Sequence, residues 1–519
     1  AAQQGDLATI RQLIEHGHSK IGDRDFQNVT ALHWAAINCR LEAVRYLLDQ
    51  GAEVDAVGGD LLATPLHWAC RKGHLSVSAL LLERGANPNL RDAQGFNALH
   101  LAVHSSNAFL VLYMLYAPGE LAVDSPDTLD HTALMWAAYQ GDGVSVDILL
   151  RQGASLRAVD KTGFTPLHWA VSKGHDDVTV RLLKAGADVT AREEKGRTPA
   201  DMARELKVEA TWLRALRQSG VAKDGREPIL SESIAMKLAY FLPFPMLFII
   251  LQTIALFPWY IGLTLGLVEF LVFHLSVLRW LLPRRQVSSN NDAMMKAPYF
   301  SAIFQSTAFW VGVTWLSRVL WYTLEHTMAN ILFALTYTLA LWCFFQAVLR
   351  DPGFVPRPHA RDDKRRLLQS LAKDNLLDKT HLCVSCIVRK PPRSKHCRLC
   401  DRCVARFDHH CPWIYNCIGA NNHRPFFFFL LSLVVGICQY IYLTYQCTLM
   451  SMIAKHATNS YPCFLPSRGC AYFQHDGWSM TLAVWVTLHL TWSTFLLGQQ
   501  GWLVAWAKTT NEHLNAHRY

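Results

Sequence analysis

The first 220 residues of this 519-residue chain lack the long apolar runs of a membrane protein and read as ordinary soluble sequence. No signal peptide is recognisable at the start, so we expect these residues to lie in the cytosol. The whole chain is nevertheless 51% apolar, with 17 Trp and 25 Phe, so the apolar excess is concentrated in the second half. Both ends of the sequence look cut, and we therefore expect it to be part of a longer protein.

Polar side chains are scarce within the apolar runs of the second half, where Glu269 and a few Gln and His are the clear candidates. An ion-conducting protein usually needs such residues along its pathway, so their scarcity argues against a cation transporter, which stays an alternative. The formal net charge of +9 does not call for a nucleic-acid partner. Membrane proteins accumulate Lys and Arg on their cytosolic loops, which accounts for the same excess.

A phrase close to T-P-L-H-W-A recurs through the first half of the chain. Its intervals of 34, 33, 35, 33 and 33 residues match the period of ankyrin repeats. Such helix pairs cannot bury their apolar faces alone, and they stack into a solenoid with a concave surface that binds other proteins. We predict about seven repeats, the first incomplete, over residues 1–218, followed by a linker over residues 219–237. The phrase starts at Thr30, Thr64, Asn97, Thr132, Thr165 and Thr198.

One aromatic position is shared by four of the repeats and holds Trp34, Trp68, Trp136 and Trp169. These rings either pack between neighbouring helices or form a row that anchors an extended peptide of a partner protein, because Trp is enriched at binding hot spots. We predict Trp68 as the anchor, assisted by Asn38 from the adjacent repeat. We find no catalytic constellation in this part of the sequence.

Six apolar runs in the second half are each close to the ~20 residues that a helix needs to cross a bilayer. We therefore predict a mostly α-helical protein in which the ankyrin solenoid precedes a six-helix transmembrane bundle, with helices 1–4 over residues 238–349 and helices 5–6 over residues 425–504. Six spans return both ends to one side, which places residues 350–424 and the tail 505–519 in the cytosol. An excess of sixteen Lys and Arg over seven Asp and Glu in residues 350–424 supports that placement. The runs lie at about 238–256, 259–279, 299–317, 329–349, 425–449 and 480–504.

Residues 381–426 hold seven of the fourteen cysteines, and a C-x2-C spacing typical of structural zinc sites occurs at 383–386 and 397–400. Two closed tetrahedral sites need eight ligands, which six cysteines, His396 and one of the pair His409 and His410 supply. One cysteine is left over, best read as Cys411. A thiol outside the metal shells that follows Asp408 and two histidines is a candidate nucleophile. The seven cysteines are Cys383, Cys386, Cys397, Cys400, Cys403, Cys411 and Cys417.

Residues 381–426 contain the sequence Asp-His-His-Cys at 408–411 and resemble the cysteine-rich domain of the DHHC-type protein S-acyltransferases, or palmitoyltransferases. Two further motifs of that family flank the domain. Asp351-Pro352-Gly353 lies upstream, and Thr509-Thr510-Asn511-Glu512, which matches the TTxE motif, lies downstream. With its ankyrin repeats, the whole chain resembles the ankyrin-bearing, huntingtin-interacting branch of the family.

The resemblance implies a role for each residue of the central motif. Cys411 is the nucleophile, His409 is its base, and Asp408 orients His409, whereas His410 is a zinc ligand. The resemblance also implies two structural zinc ions in closed shells. The first is held by Cys383, Cys386, His396 and Cys403, and the second by Cys397, Cys400, His410 and Cys417.

The activity implied by the resemblance is a two-step acyl transfer. Cys411 takes the acyl group of palmitoyl-CoA and passes it to a cysteine of a client protein recruited by the ankyrin repeats. The family is expected in the Golgi apparatus or other endomembranes. A non-catalytic membrane scaffold stays an alternative, although the intact motif argues against it.

Two local interpretations are also open. The basic residues Arg389, Lys390, Arg393 and Lys395 either attract the phosphates of CoA or form an ordinary zinc-finger surface. Cys463 and Cys470 lie on the opposite side of the membrane from the cysteine-rich domain, and our hypothesis is that they form a lumenal disulfide.

Overall fold

The computed structural model of the chain describes residues 1–119, 121–219, 221, 231–281, 294–454 and 476–516. Its backbone is mostly α-helical, which confirms the predicted fold class. The chain divides into two compact units. One contains the N-terminal repeats together with Pro356–Lys390, and the other contains the apolar helices together with the chain from Pro391 onwards.

Helix pairs at the ankyrin period build the first unit, and their apolar faces form one continuous core. A single helix, α1 (Leu7–Glu15), precedes the pairs. The paired helices are α2 (Ala31–Ile37) with α3 (Leu41–Asp49), α4 (Pro65–Arg71) with α5 (Leu75–Glu83), α6 (Ala98–His104) with α7 (Ala108–Leu115), α8 (Ala133–Gln140) with α9 (Gly143–Arg151), α10 (Pro166–Ser172) with α11 (Asp176–Ala185), and α12 (Pro199–Glu205) with α13 (Glu209–Ser219).

The Thr and His of the recurring phrase explain where each pair begins. Thr64 caps α4, because its hydroxyl accepts a hydrogen bond from the backbone N–H of His67 at 3.3 Å. The His67 ring accepts in return from the backbone N–H of Thr64, with Nδ1 at 3.0 Å, so the two form a capping box. His67 Nε2 also lies 2.9 Å from the carbonyl oxygen of Leu90, at the approach to the following repeat. The phrase therefore fixes a helix start and joins it to the next repeat.

The second unit is built from long apolar helices. They are α14 (Glu232–Phe241), α15 (Pro243–Leu256), α16 (Trp259–Ser276), α17 (Tyr299–Thr314), the single turn α18 (Leu320–Tyr322) and α19 (Thr327–Leu349), followed later in the chain by α21 (His423–Ala454), α22 (Gly477–Ala505) and the short α23 (Thr510–Leu514). The intervening helix α20 (Arg361–Lys373) belongs to the first unit.

Within the described ranges, four helical segments are long and apolar enough to cross a membrane. The runs predicted at 259–279 and 299–317 correspond to the shorter α16 and α17, each followed by a π-helical turn. The prediction of six spans is therefore not confirmed. The four segments are Ser233–Leu256, Leu324–Leu349, His423–Met450 and Gly477–Ala505.

Helix α20 (Arg361–Lys373) lies far from the repeats in sequence but packs into their core. Leu368 and Leu371 are each 1% exposed and belong to the same apolar cluster as α5 and α7. The Arg361 guanidinium donates to the carbonyl oxygen of Leu115 at 2.8 Å, and Arg365 donates to that of Tyr116 at 3.0 Å. Carbonyls at a helix end have no partner within the helix, so these arginines satisfy the end of α7.

The cysteine-rich segment folds as three antiparallel hairpins of two strands each. The first unit contains β1 (Leu382–Cys383) paired with β2 (Val388–Arg389). The second unit contains β3 (Lys395–Cys397) paired with β4 (Arg402–Val404), and β5 (His409–Cys411) paired with β6 (Asn416–Ile418).

Candidate active site and cysteine-rich region

One predicted set of zinc ligands comes together at the ends of the two hairpins in the second unit. Cys397 and Cys400 come from the β3–β4 hairpin, and His410 faces Cys417 across β5 and β6. The four ligand atoms lie within 4.8 Å of one another. His410 Nδ1 is 3.4 Å from the Cys400 sulfur and 3.5 Å from the Cys417 sulfur. Three thiols and an imidazole nitrogen in one cluster are compatible with a closed zinc shell.

The second nitrogen of His410 supports that interpretation. His410 Nε2 lies 3.2 Å from the carbonyl oxygen of Met295, which leaves Nδ1 to face the sulfurs. A metal-ligating histidine characteristically donates its other ring N–H to a carbonyl or carboxylate, which fixes its tautomer and orientation. The residues present therefore fit a metal ion at this place.

The residues of the other predicted set are divided between the two units. In the first unit, Cys383 lies on β1 and Cys386 in the turn that follows, where the Arg357 guanidinium donates to the Cys386 sulfur at 3.2 Å. In the second unit, His396 faces Cys403 across β3 and β4, with Nδ1 4.0 Å from the sulfur. His396 Nε2 lies 3.6 Å from a carboxylate oxygen of Asp401, which is an ion-pair distance if the imidazole is charged.

Strand β5 separates the two histidines of the central motif. Successive side chains of a strand point to opposite faces, so His409 and Cys411 share one face and His410 occupies the other. His409 and Cys411 both line a cavity, whereas His410 faces the cysteine cluster. Two adjacent residues of the strand therefore face different sites: His409 faces the cavity, and His410 faces the cysteine cluster.

Asp408 is held in place by a dense set of hydrogen bonds. Its carboxylate is 1% exposed, and one oxygen lies 2.6 Å from His409 Nδ1. The backbone N–H and the hydroxyl of Thr510 donate to it at 2.6 and 2.9 Å, and the Gln500 amide approaches at 3.4 Å. Burial raises the pKa of Asp408, but the hydrogen bonds from His409 and Thr510 outweigh burial and hold the pKa at about 2.

The same contacts act in the opposite direction on His409. Burial lowers the pKa of His409, but hydrogen bonds with Asp408 and with the Cys411 thiol outweigh it and raise the pKa to about 9. Because Nδ1 is engaged by Asp408, Nε2 is the nitrogen left for the thiol. The arrangement is that of a nucleophile, a base and an orienting carboxylate.

The cavity beside Cys411 has a volume of about 360 Å³ and is lined almost entirely by apolar side chains. Its walls come from α17, α19, α21 and α22, with Trp413, Gln500 and Thr510 near the reactive groups. Trp413 lines this cavity and packs against Phe300 at 5.2 Å between ring centroids. The remaining wall includes Phe304, Tyr337, Phe429, Ile437, Tyr440 and Val486.

The TTxE motif contacts both the buried carboxylate of Asp408 and the cysteine-rich loop. Thr509 caps α23 and forms a capping box with Glu512. The Glu512 carboxylate also binds the Arg393 guanidinium in a bidentate pair, which lowers the pKa of Glu512 although burial opposes it. Lys395 donates to the side-chain oxygen of Asn511 at 2.7 Å. Arg393 and Lys395 thus have structural partners, which favours the structural interpretation for these two residues.

The Asp351-Pro352-Gly353 motif forms the turn after α19. One Asp351 oxygen accepts hydrogen bonds from the backbone N–H groups of Gly353 at 2.8 Å and Phe354 at 2.6 Å. Gly353 has φ of 104°, which strongly favours glycine, and its carbonyl accepts from the N–H of Ala405 at 2.8 Å. The motif therefore ties the end of α19 to the β4 side of the cysteine-rich loop.

Three site residues were missed by the sequence analysis. Asn416 donates to the carbonyl oxygens of Ala347, Val348 and Arg350, and so caps the end of α19.

Asn422, wholly buried, joins the carbonyl oxygens of Ala347 and Cys417. Gln500 bridges Asp408, Thr510 and His423. Side-chain amides carry no spacing signal of their own, which is why the motif search passed over them.

The four equivalent tryptophans of the repeats differ in the partner of the indole N–H. Trp34 donates to Asp25 at 2.8 Å, Trp136 to Asp127 at 3.1 Å and Trp169 to Asp160 at 2.9 Å, each to a carboxylate nine residues earlier. The corresponding residue for Trp68 is Gly59. Within the described residues, the buried Trp68 Nε1 has no hydrogen-bond partner.

Asn38, Cys463 and Cys470 are the remaining residues predicted from the sequence. The Asn38 side chain donates to the carbonyl oxygen of Trp34 at 2.8 Å, at the end of α2. Cys463 and Cys470 lie outside the described residues, so their disulfide stays a prediction.

Comparison with known proteins places these features in one family. The profile of the DHHC palmitoyltransferases matches residues 377–517, and ankyrin-repeat profiles match residues 1–48, 32–82, 66–115 and 99–193. The fold and site thus define an ankyrin-bearing DHHC palmitoyltransferase.

Curated relatives extend this result to the whole chain. Palmitoyltransferase AKR1 of Mortierella alpina is 49% identical over 83% of this chain and 73% of its own length. Palmitoyltransferase AKR1 of Gibberella zeae is 37% identical over 99% and 72%, and that of Saccharomyces cerevisiae is 35% identical over 99% and 69%. The chain belongs to the family of ankyrin-repeat DHHC palmitoyltransferases. It is a protein S-acyltransferase and, like the family, a membrane protein. This result favours the enzyme over the transporter and scaffold alternatives.

Proposed function

We propose that Cys411 is the acyl-accepting nucleophile, His409 its base and Asp408 the group that orients His409. The observation that carries the proposal is that His409 and Cys411 share one face of β5 and line an apolar cavity, with Asp408 hydrogen-bonded behind His409. His409 takes the thiol proton, and the Cys411 thiolate attacks the carbonyl carbon of palmitoyl-CoA. The bond to the CoA sulfur breaks, and the proton leaves with that sulfur.

The second step repeats this chemistry with a different thiol. A client cysteine gives its proton to His409, and its thiolate attacks the Cys411 thioester. The new thioester forms on the client, and Cys411 recovers the proton. The reaction is covalent catalysis of the ping-pong type.

The cavity is proposed to hold the acyl chain of palmitoyl-CoA. Its wall is apolar except for a few groups such as His409 and Gln500. Burial of a methylene group stabilises a bound chain by about 0.8 kcal/mol, so an apolar cavity beside the nucleophile favours long-chain thioesters.

Two structural zinc ions are proposed to hold the loop that carries Cys411. The second ligand set is supported by its four clustered ligand atoms and by the Met295 contact of His410. The first set, Cys383, Cys386, His396 and Cys403, is supported by the spacing of its residues and by the family pattern. A closed shell of four protein ligands supplies folding free energy and leaves no coordination position for a substrate.

The ankyrin repeats are proposed to recruit clients through Trp68 and Asn38. Ankyrin repeats are protein-interaction modules, and Trp68 has an indole N–H without a partner among the described residues. Trp side chains are enriched at binding hot spots, which supports Trp68 as the anchor of a client segment. We also propose that the repeats and the cysteine-rich domain face the cytosol, in a Golgi or other endomembrane, with six spans.

The test is acylation of purified protein with labelled palmitoyl-CoA, followed by hydroxylamine. Wild type should acquire a hydroxylamine-labile label, and Cys411→Ser should not. Cys438→Ser is the matched control, because it removes an exposed cysteine that does not line the cavity. Equal labelling of Cys411→Ser and wild type would contradict the assignment.

A further inference from the structure

A second pocket lies within the repeats, at the third and fourth tryptophan-bearing helix starts, those of Trp136 and Trp169. Four rings close a box, in the order His131, Trp136, Tyr139 and Trp169. Neighbouring centroids are 5.2, 5.7, 5.5 and 5.3 Å apart around the ring, and neighbouring planes meet at 70 to 77°. With Met135, these rings line a cavity of about 200 Å³. We call it the aromatic box.

Two buried carboxylates stand behind the box. The side chains of Asp127 and Asp160 are 2% and 1% exposed, and they accept the indole N–H of Trp136 and of Trp169. The two nitrogens of His131 lie 3.0 Å from Asp127 and 3.6 Å from Asp160. With a neutral imidazole, the two carboxylates place negative charge behind the rings, and a charged imidazole would balance one of them.

The chain itself already places a cation on this box. Lys173 is exposed, and its ammonium nitrogen stands 4.4 Å from the centroid of the Tyr139 ring. A cation over an aromatic face is attracted by the ring quadrupole, and boxes of several rings are the usual receptors for alkylammonium groups. The geometry and the charge therefore favour the same class of ligand.

We propose that the aromatic box binds an organic cation, the ammonium or guanidinium group of a basic side chain in a client segment. Trp136 and Trp169 occupy the repeat position of Trp68, so the box lies on the face of the solenoid proposed to bind clients. The source of the cation rests on that proposed function. The chemistry of the box does not, because it follows from the four rings and two carboxylates alone.

The first test uses the full chain in detergent, labelled with methyl-13C methionine. The Met135 signal is assigned by its loss in Met135→Leu, and tetramethylammonium chloride is titrated against tert-butanol, a neutral molecule of similar shape, and against sodium chloride. Tetramethylammonium should shift the Met135 signal saturably, and the other two should not. An equal saturable shift with tert-butanol would overturn the proposal, as would no shift with tetramethylammonium.

Two substitutions at one position separate the ring from the fold. Tyr139→Leu removes a π face and keeps an apolar side chain, so tetramethylammonium should bind about tenfold more weakly. Tyr139→Phe keeps the face and should bind as wild type does. Lys173→Met removes the resident cation and should not weaken binding. Unchanged affinity in Tyr139→Leu would assign the shift to another place and overturn the proposal.

A peptide pair tests the source of the cation. A twelve-residue Gly/Ser peptide with one central Lys should shift the Met135 signal at about tenfold lower concentration than the same peptide with norleucine. Equal effects of the two peptides would overturn the basic side chain as occupant. Trp68→Ala should leave the tetramethylammonium titration unchanged, so a failure of client anchoring at Trp68 stays distinguishable from a failure of the box.

Discussion

Histidine side chains are buried in the repeats and half-buried at His409 of the second unit, with opposite electrostatic outcomes. In the repeats, His33, His67, His100 and His168 form capping boxes with hydroxyl or amide side chains, and burial lowers their pKa, to about 4 for His100. In the cysteine-rich region, the carboxylate of Asp408 and the thiol of Cys411 raise the pKa of His409 to about 9 against the effect of burial. The partner, rather than burial, decides whether the neutral imidazole is favoured, as in the repeats, or its protonated form, as expected of a base that takes a thiol proton.

The two units also differ in what holds them together, which chelation should expose. The repeats have a continuous apolar core and cap hydrogen bonds. The β3–β4 hairpin packs in a small cluster that includes the cysteines Cys397, Cys400 and Cys417, whereas the β5–β6 hairpin also packs on α19 and α21 through Ile414 and Ile418. Structural zinc in small domains contributes roughly 10–16 kcal/mol of apparent binding free energy. Removal of metal should therefore abolish hydrogen-exchange protection of residues 395–404, reduce that of residues 409–418 and leave that of α4 to α11 unchanged.

The control for this prediction is a pair of cysteine variants measured for zinc content. Cys397→Ser should lose metal, whereas Cys411→Ser should retain two zinc ions per chain. Loss of zinc in Cys411→Ser, or one zinc ion in wild type, would contradict the assigned ligand sets.

Removing a histidine from each unit sharpens the comparison further. His409→Ala should slow self-acylation about 10²–10⁴-fold, because a positioned base contributes that much. His67→Ala removes a capping box and a contact to Leu90, so it should lower the stability of the repeats and leave the self-acylation rate per folded molecule unchanged. If both variants slowed labelling equally, the distinction between structural and catalytic histidines would fail.

The tryptophans of the repeats can likewise be separated into one proposed to bind clients, Trp68, and one that stabilises the fold, Trp34. Trp68→Ala should weaken client binding by about 2 kcal/mol, as expected for a central aromatic anchor. Replacement by Phe removes the indole N–H and keeps an aromatic ring. Trp34→Phe should destabilise the repeats by about 1 kcal/mol because Asp25 loses a donor. Trp68→Phe should have a smaller effect on stability, because it breaks no hydrogen bond among the described residues. Thermal unfolding and client pull-down measure the two effects. A Trp68→Ala variant that unfolds the repeats would show that the ring serves packing.

Acidification should weaken the repeats by a smaller amount. The folded His100 has a pKa of about 4, below the ~6.5 of an unfolded histidine, so the unfolded state binds more protons between these values. Stability is therefore lost as pH falls below ~6.5, by on the order of 1–2 kcal/mol at pH 5. Hydrogen exchange of α6, corrected for its intrinsic pH dependence, should accelerate from pH 7 to pH 5. His100→Gln should reduce that acceleration.

Much of the fold and the chemistry was predictable because it follows from spacing. The repeat period placed Thr64 and Thr165 at helix starts, and the cysteine spacing singled out Cys411. Spacing could not say which of His409 and His410 binds metal, because that depends on the alternation of a strand only three residues long. The indole N–H of Trp68, which has no partner among the described residues, had a readable signal, the Gly59 that replaces the aspartate of three other repeats.

Long-range packing left no such signal. Asn416 reaches the end of α19 across more than sixty residues of chain, and Gln500 reaches Asp408 across ninety-two. Each contact depends on how separate segments meet in space. Sequence periodicity describes one segment at a time and cannot predict contacts between distant segments.

Helix α20 changes how a shortened version of this enzyme should be designed. Its apolar stripe, with Leu368 and Leu371, is covered by α5 and α7, and Arg361 and Arg365 are occupied by the end of α7. A fragment that starts after the repeats would carry this stripe uncovered and would present it to chaperones and to other copies. Polar replacements at Leu368 and Leu371 are therefore a requirement for any repeat-free catalytic fragment, and loss of activity in a simple truncation would report exposed surface rather than missing clients.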